Sequence, residues 1–221
     1  MRGRLVAVTL LLVALAVPAR AHPHAWVEHN TEIVFTPEGS IEGIGHVWVF
    51  DDGYAQAALE GLDTDGDGDY SEAELAPLTA ENLVSLKDYN YFTLVRFDQG
   101  KLEFGEANAR QARQVWKDGK LALRFFVPLK TPVDPRKGVV VVKVFDPEYF
   151  VAFDYARQEP FRVAGTPPTG CKPDLKPLPT EEQLADTRSY LATKGKDWKP
   201  PPDADFGEMF AQALVVACAN S

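Results

Sequence analysis

Twelve residues, Asp63 to Glu74 (DTDGDGDYSEAE), put oxygen ligands at regular intervals along a short acidic run. Asp63, Asp65 and Asp67 stand at positions one, three and five, and Gly68 stands at six, where the chain must bend sharply. Asp69 offers its backbone carbonyl at seven, Ser71 sits at nine, and Glu74 at twelve supplies a carboxylate that can bind through both oxygens. A hard cation takes six to eight oxygens, and this spacing aims them at one point, as in the calcium loop of an EF-hand. Leu62 and Leu75 flank the run as a helix-loop-helix requires. The competing reading is an acidic surface turn that binds no ion and crowds like charges together. Tyr70 holds position eight, where an aliphatic residue commonly pairs with a second hand, and the sequence contains no second hand. A lone hand must pack on its host, so its calcium is expected to be structural rather than a switch. Its affinity is expected on the order of 10⁻⁴–10⁻³ M, or tighter given the charge count.

A second cluster lies at residues 19 to 29, ARAHPHAWVEH, which hold three of the four histidines. What His22 and His24 can do depends on where the mature chain begins. Arg2 and Arg4 precede an apolar run from Leu5 to Val17, and Ala19-Arg20-Ala21 supplies the small residues that a signal peptidase inspects. The run is shorter than the roughly 20 residues of a membrane span. Residues 1–21 therefore read as a cleavable secretory signal, with no following cysteine for a lipid anchor, and the product is expected in the periplasm. Cleavage after Ala21 would leave His22 with a free amine and a ring nitrogen, able to chelate one metal together. His24 at position three would suggest a square-planar copper or nickel motif, but Pro23 has no amide N–H to give it. Zinc, nickel, cobalt or copper could still be held by His22 and His24 in another geometry, the alternative being a frayed terminus.

Removing Arg2, Arg4 and Arg20 takes the net charge from −9 to −12. Such a surface suits cations and disfavours nucleic acid or anionic lipid. Cys171 and Cys218 are the two cysteines. In an oxidising compartment they are expected to pair rather than to bind metal, since they lack the close spacing of a two-thiolate site.

Several elements must hold these residues in place. WVEHNTEIVF (26–35) and IEGIGHVWVF (41–50), joined by TPEGS, form a β-hairpin. A four-residue loop there would set Phe35 against Ser40 and bring His29 opposite His46, a second candidate metal pair beside the plainer reading of a half-exposed cross-strand pair. Asp51 and Asp52 offer an N-cap to YAQAALEGL, and a second helical stretch follows the acidic loop to about Leu86, with Pro77 kinking it or starting a new helix. From Tyr91 strands return: YFTLVRF, KLEF, ARQVW, LALRFFVPL, VVVVKVF and YFVAFDY, separated by Gly, Pro and Asp turns. The fold expected is mainly β: an antiparallel β-sandwich over 22–165, with an EF-hand-like helix-loop-helix inserted at 51–88. Residues 166–221 read as a Pro-rich wrapping segment of the same domain. It contains a short helix capped by Thr180 with Gln183 in the third position. FAQALVVACA at the end fits a strand or a helix equally well.

HPHAWVE, HVWVFDD, the EF-hand-like insertion, KDYNYFTLV, VFDPEYFVAFDY and FAQALVVAC together resemble the bacterial domain-of-unknown-function 1007 family. The resemblance covers nearly the whole mature chain. It implies an exported protein, described as an uncharacterised periplasmic component of an ABC-type transport system and linked to nickel, cobalt or zinc handling. Solute-binding proteins of such systems are larger, two-lobed and built from βαβ units, which this sequence does not show. The resemblance carries over His22 and His24 as transition-metal ligands and Asp63, Asp65, Asp67, Asp69, Ser71 and Glu74 as calcium ligands.

Three functional readings remain. The first is a calcium-stabilised periplasmic accessory that binds or presents a transition metal to a membrane transporter component. The second is a structural or protein-interaction module in which calcium and the disulfide hold the fold, with Trp26 and Trp48 serving the core or a partner. The third is a copper oxidoreductase using the N-terminal histidine, with His46 as its distant ligand. The sequence has no GxSxG, no HExxH and no phosphate-binding glycine loop, and every histidine precedes residue 47. An enzyme is not expected.

Overall fold

The computed structural model describes residues 25–107, 111–148, 150–193 and 206–219. The signal segment, His22 and His24 lie outside them.

Strand β1 (Ala25–Phe35) and strand β2 (Ile41–Phe50) form the expected hairpin. Alternation decides their faces: Val27, His29, Thr31, Ile33 and Phe35 point inward, whereas Trp26, Glu28, Asn30 and Glu32 point outward. The turn closes through Thr36 N–H to the Ser40 carbonyl, with Gly39 at φ +84°. The expected register is corrected. Phe35 pairs with Ile41, and a bulge then sets Val34 against Gly43, so His29 lies opposite Trp48 and His46 opposite Thr31. The loop has five residues rather than four, and the extra residue at the bulge adds a second step, so the ladder slips by two from the expected register.

Helix α1 (Asp52–Leu59) begins at an Asp51 N-cap whose carboxylate accepts the Gly53 and Tyr54 amides and, from β1, the Trp26 amide. Burial pushes the Asp51 carboxyl up, but these backbone hydrogen bonds outweigh it and leave it below the ordinary aspartate value. Helix α2 (Glu72–Asp88) follows the acidic loop and runs through Pro77, where the Ala73 carbonyl has no amide to accept.

Seven strands follow the helices in chain order. They are β3 (Thr93–Phe97), β4 (Gly100–Lys101), β5 (Arg113–Lys117), β6 (Lys120–Val133), β7 (Val140–Val144), β8 (Val151–Tyr155) and β9 (Phe161–Ala164). The Asp118-Gly119 turn between β5 and β6 has both residues at positive φ, 52° and 74°, the two-residue hairpin for which Asp-Gly is suited. Two further strands come from the Pro-rich region: β10 (Cys171–Leu175) and β11 (Ala213–Cys218). Between them lie α3 (Glu181–Ala192) and α4 (Phe206–Phe210). Thr180 and Gln183 exchange the reciprocal capping hydrogen bonds at the start of α3.

The strands make two sheets. One has the order β5-β6-β2-β1-β8, with β9 also paired to β1; the other runs β10-β11-β7-β3-β4. The first is mixed rather than antiparallel, because β8 and β9 both run parallel to β1. Two short strands share one edge of β1: β8 serves Ala25 to His29 and β9 serves Thr31 to Val34, with the chain looping out at Ala156–Pro160. The Pro-rich region is not merely a wrap, since β10 is an edge strand that tolerates Pro173 and β11 inserts beside β7. The closing segment is thus a strand.

Two apolar clusters fill the interior. Ile33, Phe35, Ile41 and Ile44 of the first sheet face Val95, Val140, Val142, Leu214 and Val216 of the second. Farther along, Val27, Trp48, Phe50, Leu121 and Leu123 meet Ala55, Leu59, Leu75, Leu83 and Leu86 of the two helices. Each fully buried aliphatic side chain contributes roughly 1.5–3 kcal/mol. The second sheet therefore covers one stretch of the first, and the helical insertion covers the other. That second contact is what holds the acidic loop.

Candidate metal centre

Carboxylate oxygens of Asp63, Asp65 and Asp67 all lie within 4.8 Å of one another. The loop achieves this by turning each side chain onto its own backbone. Asp63 accepts from the Gly66 and Gly68 amides at 2.7 and 3.1 Å, Asp65 from Asp67 N–H at 3.2 Å, and Asp67 from Asp69 N–H at 2.8 Å. Gly66 and Gly68 sit at φ +74° and +82°, and a Cβ at either would meet nothing within 4 Å. Glycine is needed there for its backbone freedom, not for space.

Glu74 acts as a latch across the loop. Its carboxylate accepts from the Thr64 amide (2.7 Å) and hydroxyl (2.8 Å), and from the Ser71 amide (2.9 Å) and hydroxyl (2.8 Å). These bonds, led by the Ser71 and Thr64 amides, pull its carboxyl down to about 2. In return the Ser71 hydroxyl oxygen accepts from Glu74 N–H, completing a capping box at the start of α2. Asp69 accepts from Tyr70 N–H. Asp69, Ser71 and Glu74 stand outside the three-carboxylate group, although Asp69 would in any case contribute its backbone carbonyl. The donor set fits a hard divalent cation: converging carboxylates, with a further carboxylate on the first turn of the exiting helix.

The partner absent from the sequence is supplied by the sheet. Tyr70 at position eight packs edge to face on Trp116 of β5, with centroids 5.4 Å apart. Asp63, Gly68, Tyr70 and Trp116 also border a cavity of about 800 Å³ against α1. Sequence reasoning anticipated a host contact for the lone hand but did not identify Trp116.

His29 and His46 point into the core and are 1% and 3% exposed. They are diagonal neighbours on the inner face rather than opposite one another. The Nδ1 of His29 lies 3.5 Å from the Thr31 hydroxyl, and its ring lies 4.1 Å from that of Tyr155. Nε2 of His46 meets the Thr93 hydroxyl at 3.2 Å, and its ring stacks on Phe125. Both are lowered to about 3, His29 by burial and His46 by burial first and the nearby His29 second. Together with Thr31 and Thr93 they form a polar seam between the two apolar clusters. This seam is neither open nor solvent-facing, so it does not match the exposed copper ligand expected of an oxidoreductase. Among the described residues, the group of His, Cys, Asp or Glu that closes on one point is Asp63, Asp65 and Asp67.

Cys171 and Cys218 are direct cross-strand partners on β10 and β11 and form a disulfide. Trp48 is buried at 2% exposure, whereas Trp26 faces outward at 51%, because strand alternation sends it to the opposite side from Val27. No helix among the described residues is long and apolar enough to cross a membrane.

A family described as "Protein of unknown function (DUF1007)" matches residues 7–218. An uncharacterized protein of Haemophilus influenzae is 23% identical over 199 residues, which is 90% of this chain and 91% of that one. An uncharacterized 15.5 kDa protein in the trpE 3′ region of Spirochaeta aurantia is 32% identical over 98 residues, 44% of this chain and 68% of the relative.

Proposed function

From the premise that the chain belongs to the DUF1007 family, we propose that it is an exported, calcium-binding periplasmic accessory that binds a transition metal and presents it to a membrane transporter component. The observation that carries the calcium half is the convergence of Asp63, Asp65 and Asp67 within 4.8 Å, inside a twelve-residue loop between two helices. In this reading Asp63, Asp65, Asp67 and Glu74 supply carboxylate oxygens, Asp69 its carbonyl, and Ser71 the position-nine ligand. The bound ion neutralises a patch that otherwise repels itself and fixes α1 and α2 on the sheet. The transition-metal half rests on the terminus released by signal cleavage, where His22 offers amine and ring nitrogens and His24 a second imidazole. Zinc, nickel, cobalt and copper all suit that donor set. The disulfide between Cys171 and Cys218 accords with an oxidising compartment. The role assigned is binding and delivery, not catalysis.

One observation favours a second reading. Tyr70 is seated on Trp116 and Glu74 latches the loop ends, so calcium could act on the fold alone, in a structural or interaction module. Native mass spectrometry of protein exported and processed by a bacterial host separates the two. The sample is titrated with calcium and then with zinc, copper(II), nickel and cobalt. A mass beginning at His22 with one calcium and one transition metal is expected. Calcium alone would leave the structural module, and failure to take up calcium would remove both readings.

A further inference from the structure

The outer face of the first sheet carries a row of charge at odds with the rest of the chain. Arg113 on β5 and Arg124 on β6 are direct cross-strand partners, and both are exposed. Like charges in that position repel. Arg96, Arg136 and Arg162 hold Glu208, Asp134 and Glu159 respectively. Arg113 and Arg124 have no such carboxylate among the described residues. In a chain with 32 acidic residues, two adjacent guanidinium groups left without a carboxylate call for an anion from outside.

A cavity of about 440 Å³ lies beneath them, within the size range of small-molecule sites. Val47 and Phe126 give it an apolar strip beside the backbone of Gly45, in a lining that is otherwise polar and includes Asn30, Gln111 and the Glu159-paired Arg162. A Cβ at Gly45 would come within 3.1 Å of the Glu32 side chain, so glycine keeps this strip low. Glu32 and Glu72 also line the cavity and limit the negative charge that it can accept. That limit disfavours polyphosphates and leaves a ligand with one or two carboxylates. We propose that this cavity binds a small organic carboxylate, Arg113 and Arg124 gripping the carboxylate and Val47 with Phe126 receiving an apolar body. Two guanidinium forks side by side offer charge-assisted, bidentate hydrogen bonds to a planar carboxylate, and the aromatic ring adds contact area.

Isothermal titration of the full exported chain with 3-phenylpropionate, succinate and inorganic phosphate tests this. 3-Phenylpropionate is expected to bind saturably at one site and more tightly than phosphate. Replacing both arginines (Arg113→Ala with Arg124→Ala) should weaken it at least tenfold while leaving thermal stability without ligand unchanged or higher. Arg113→Lys with Arg124→Lys keeps the charge but loses the planar forks, and should recover only part of the affinity. Binding that survives the double alanine variant overturns the proposal, as does wild-type protein that takes up none of the three probes. Binding of phosphatidylglycerol vesicles through these arginines, without uptake of the small acids, would overturn it in favour of a membrane surface.

Discussion

Tyr70 and Trp116 meet edge to face, their ring planes 78° apart, and so couple the acidic loop to β5. Calcium affinity should depend on a side chain that no ligand rule would name. Trp116→Ala is expected to cost about 0.5–1.5 kcal/mol for the aromatic pair, beyond the lost burial. It should also weaken calcium binding several-fold, because the loop loses its preorganising support. Thermal melts with and without calcium measure both effects. An unchanged calcium-induced rise in Tm would show that the ring contact is incidental to the ion.

Replacing Asp63 and Glu74 together by alanine removes one converging carboxylate and the latch. The wild-type protein should gain about 2.7 kcal/mol when calcium is supplied at a hundredfold excess over Kd. The double variant should gain none. If its stability tracks that of the wild type at every calcium concentration, the loop has no structural role.

The histidine seam makes stability fall on mild acidification. His29 and His46 ionise near 6.5 in the unfolded chain, but burial holds them at about 3 in the fold. Between those values the unfolded state binds more protons, so the stabilisation is complete above about pH 6.5 and is lost progressively towards pH 3. At pH 5 each histidine accounts for about 2 kcal/mol of that loss. The side chains bonded to or stacked on the two rings are Thr31, Thr93, Tyr155, Trp48, Phe125 and Phe153, and none brings a negative charge. Urea unfolding of His46→Leu from pH 7 to pH 5 should show a shallower pH dependence than the wild type. Parallel curves would place the acid sensitivity elsewhere.

The Cys171–Cys218 bond closes a loop with a sequence separation of 47. Replacing both cysteines by serine should cost about 3–4 kcal/mol on the chain-entropy account. Denaturant unfolding of oxidised wild type against the variant reads this directly, and a difference below about 1 kcal/mol would mean that β10 and β11 are held by their ladder alone.

Much of this architecture could be read from residue patterns, and the failures have identifiable causes. The hairpin, α1, α2 and the Thr180 cap follow from alternation and capping chemistry, which are local. The His29–His46 register failed because a fifth loop residue and a bulge near Glu42, each a slip of one, are invisible to a pattern of period two. The parallel pairing of β8 and β9 with β1 is non-local, and nothing in either segment marks its direction. Trp116 was missed as the loop's support because only the tertiary fold brings β5 beside residue 70. The Arg113–Arg124 pair was within reach: with Asp118-Gly119 as a two-residue turn, counting back from Lys117 and Lys120 sets the two arginines opposite each other.

β1 is flanked on one side by β2 and on the other by strands well over a hundred residues downstream. The first described strand therefore cannot complete its ladder until most of the chain is present. Assembly of the sheet is necessarily late, and such non-local pairing is slow. A polypeptide crossing a membrane amino end first would remain threadable throughout its passage, with folding deferred until the far side is reached.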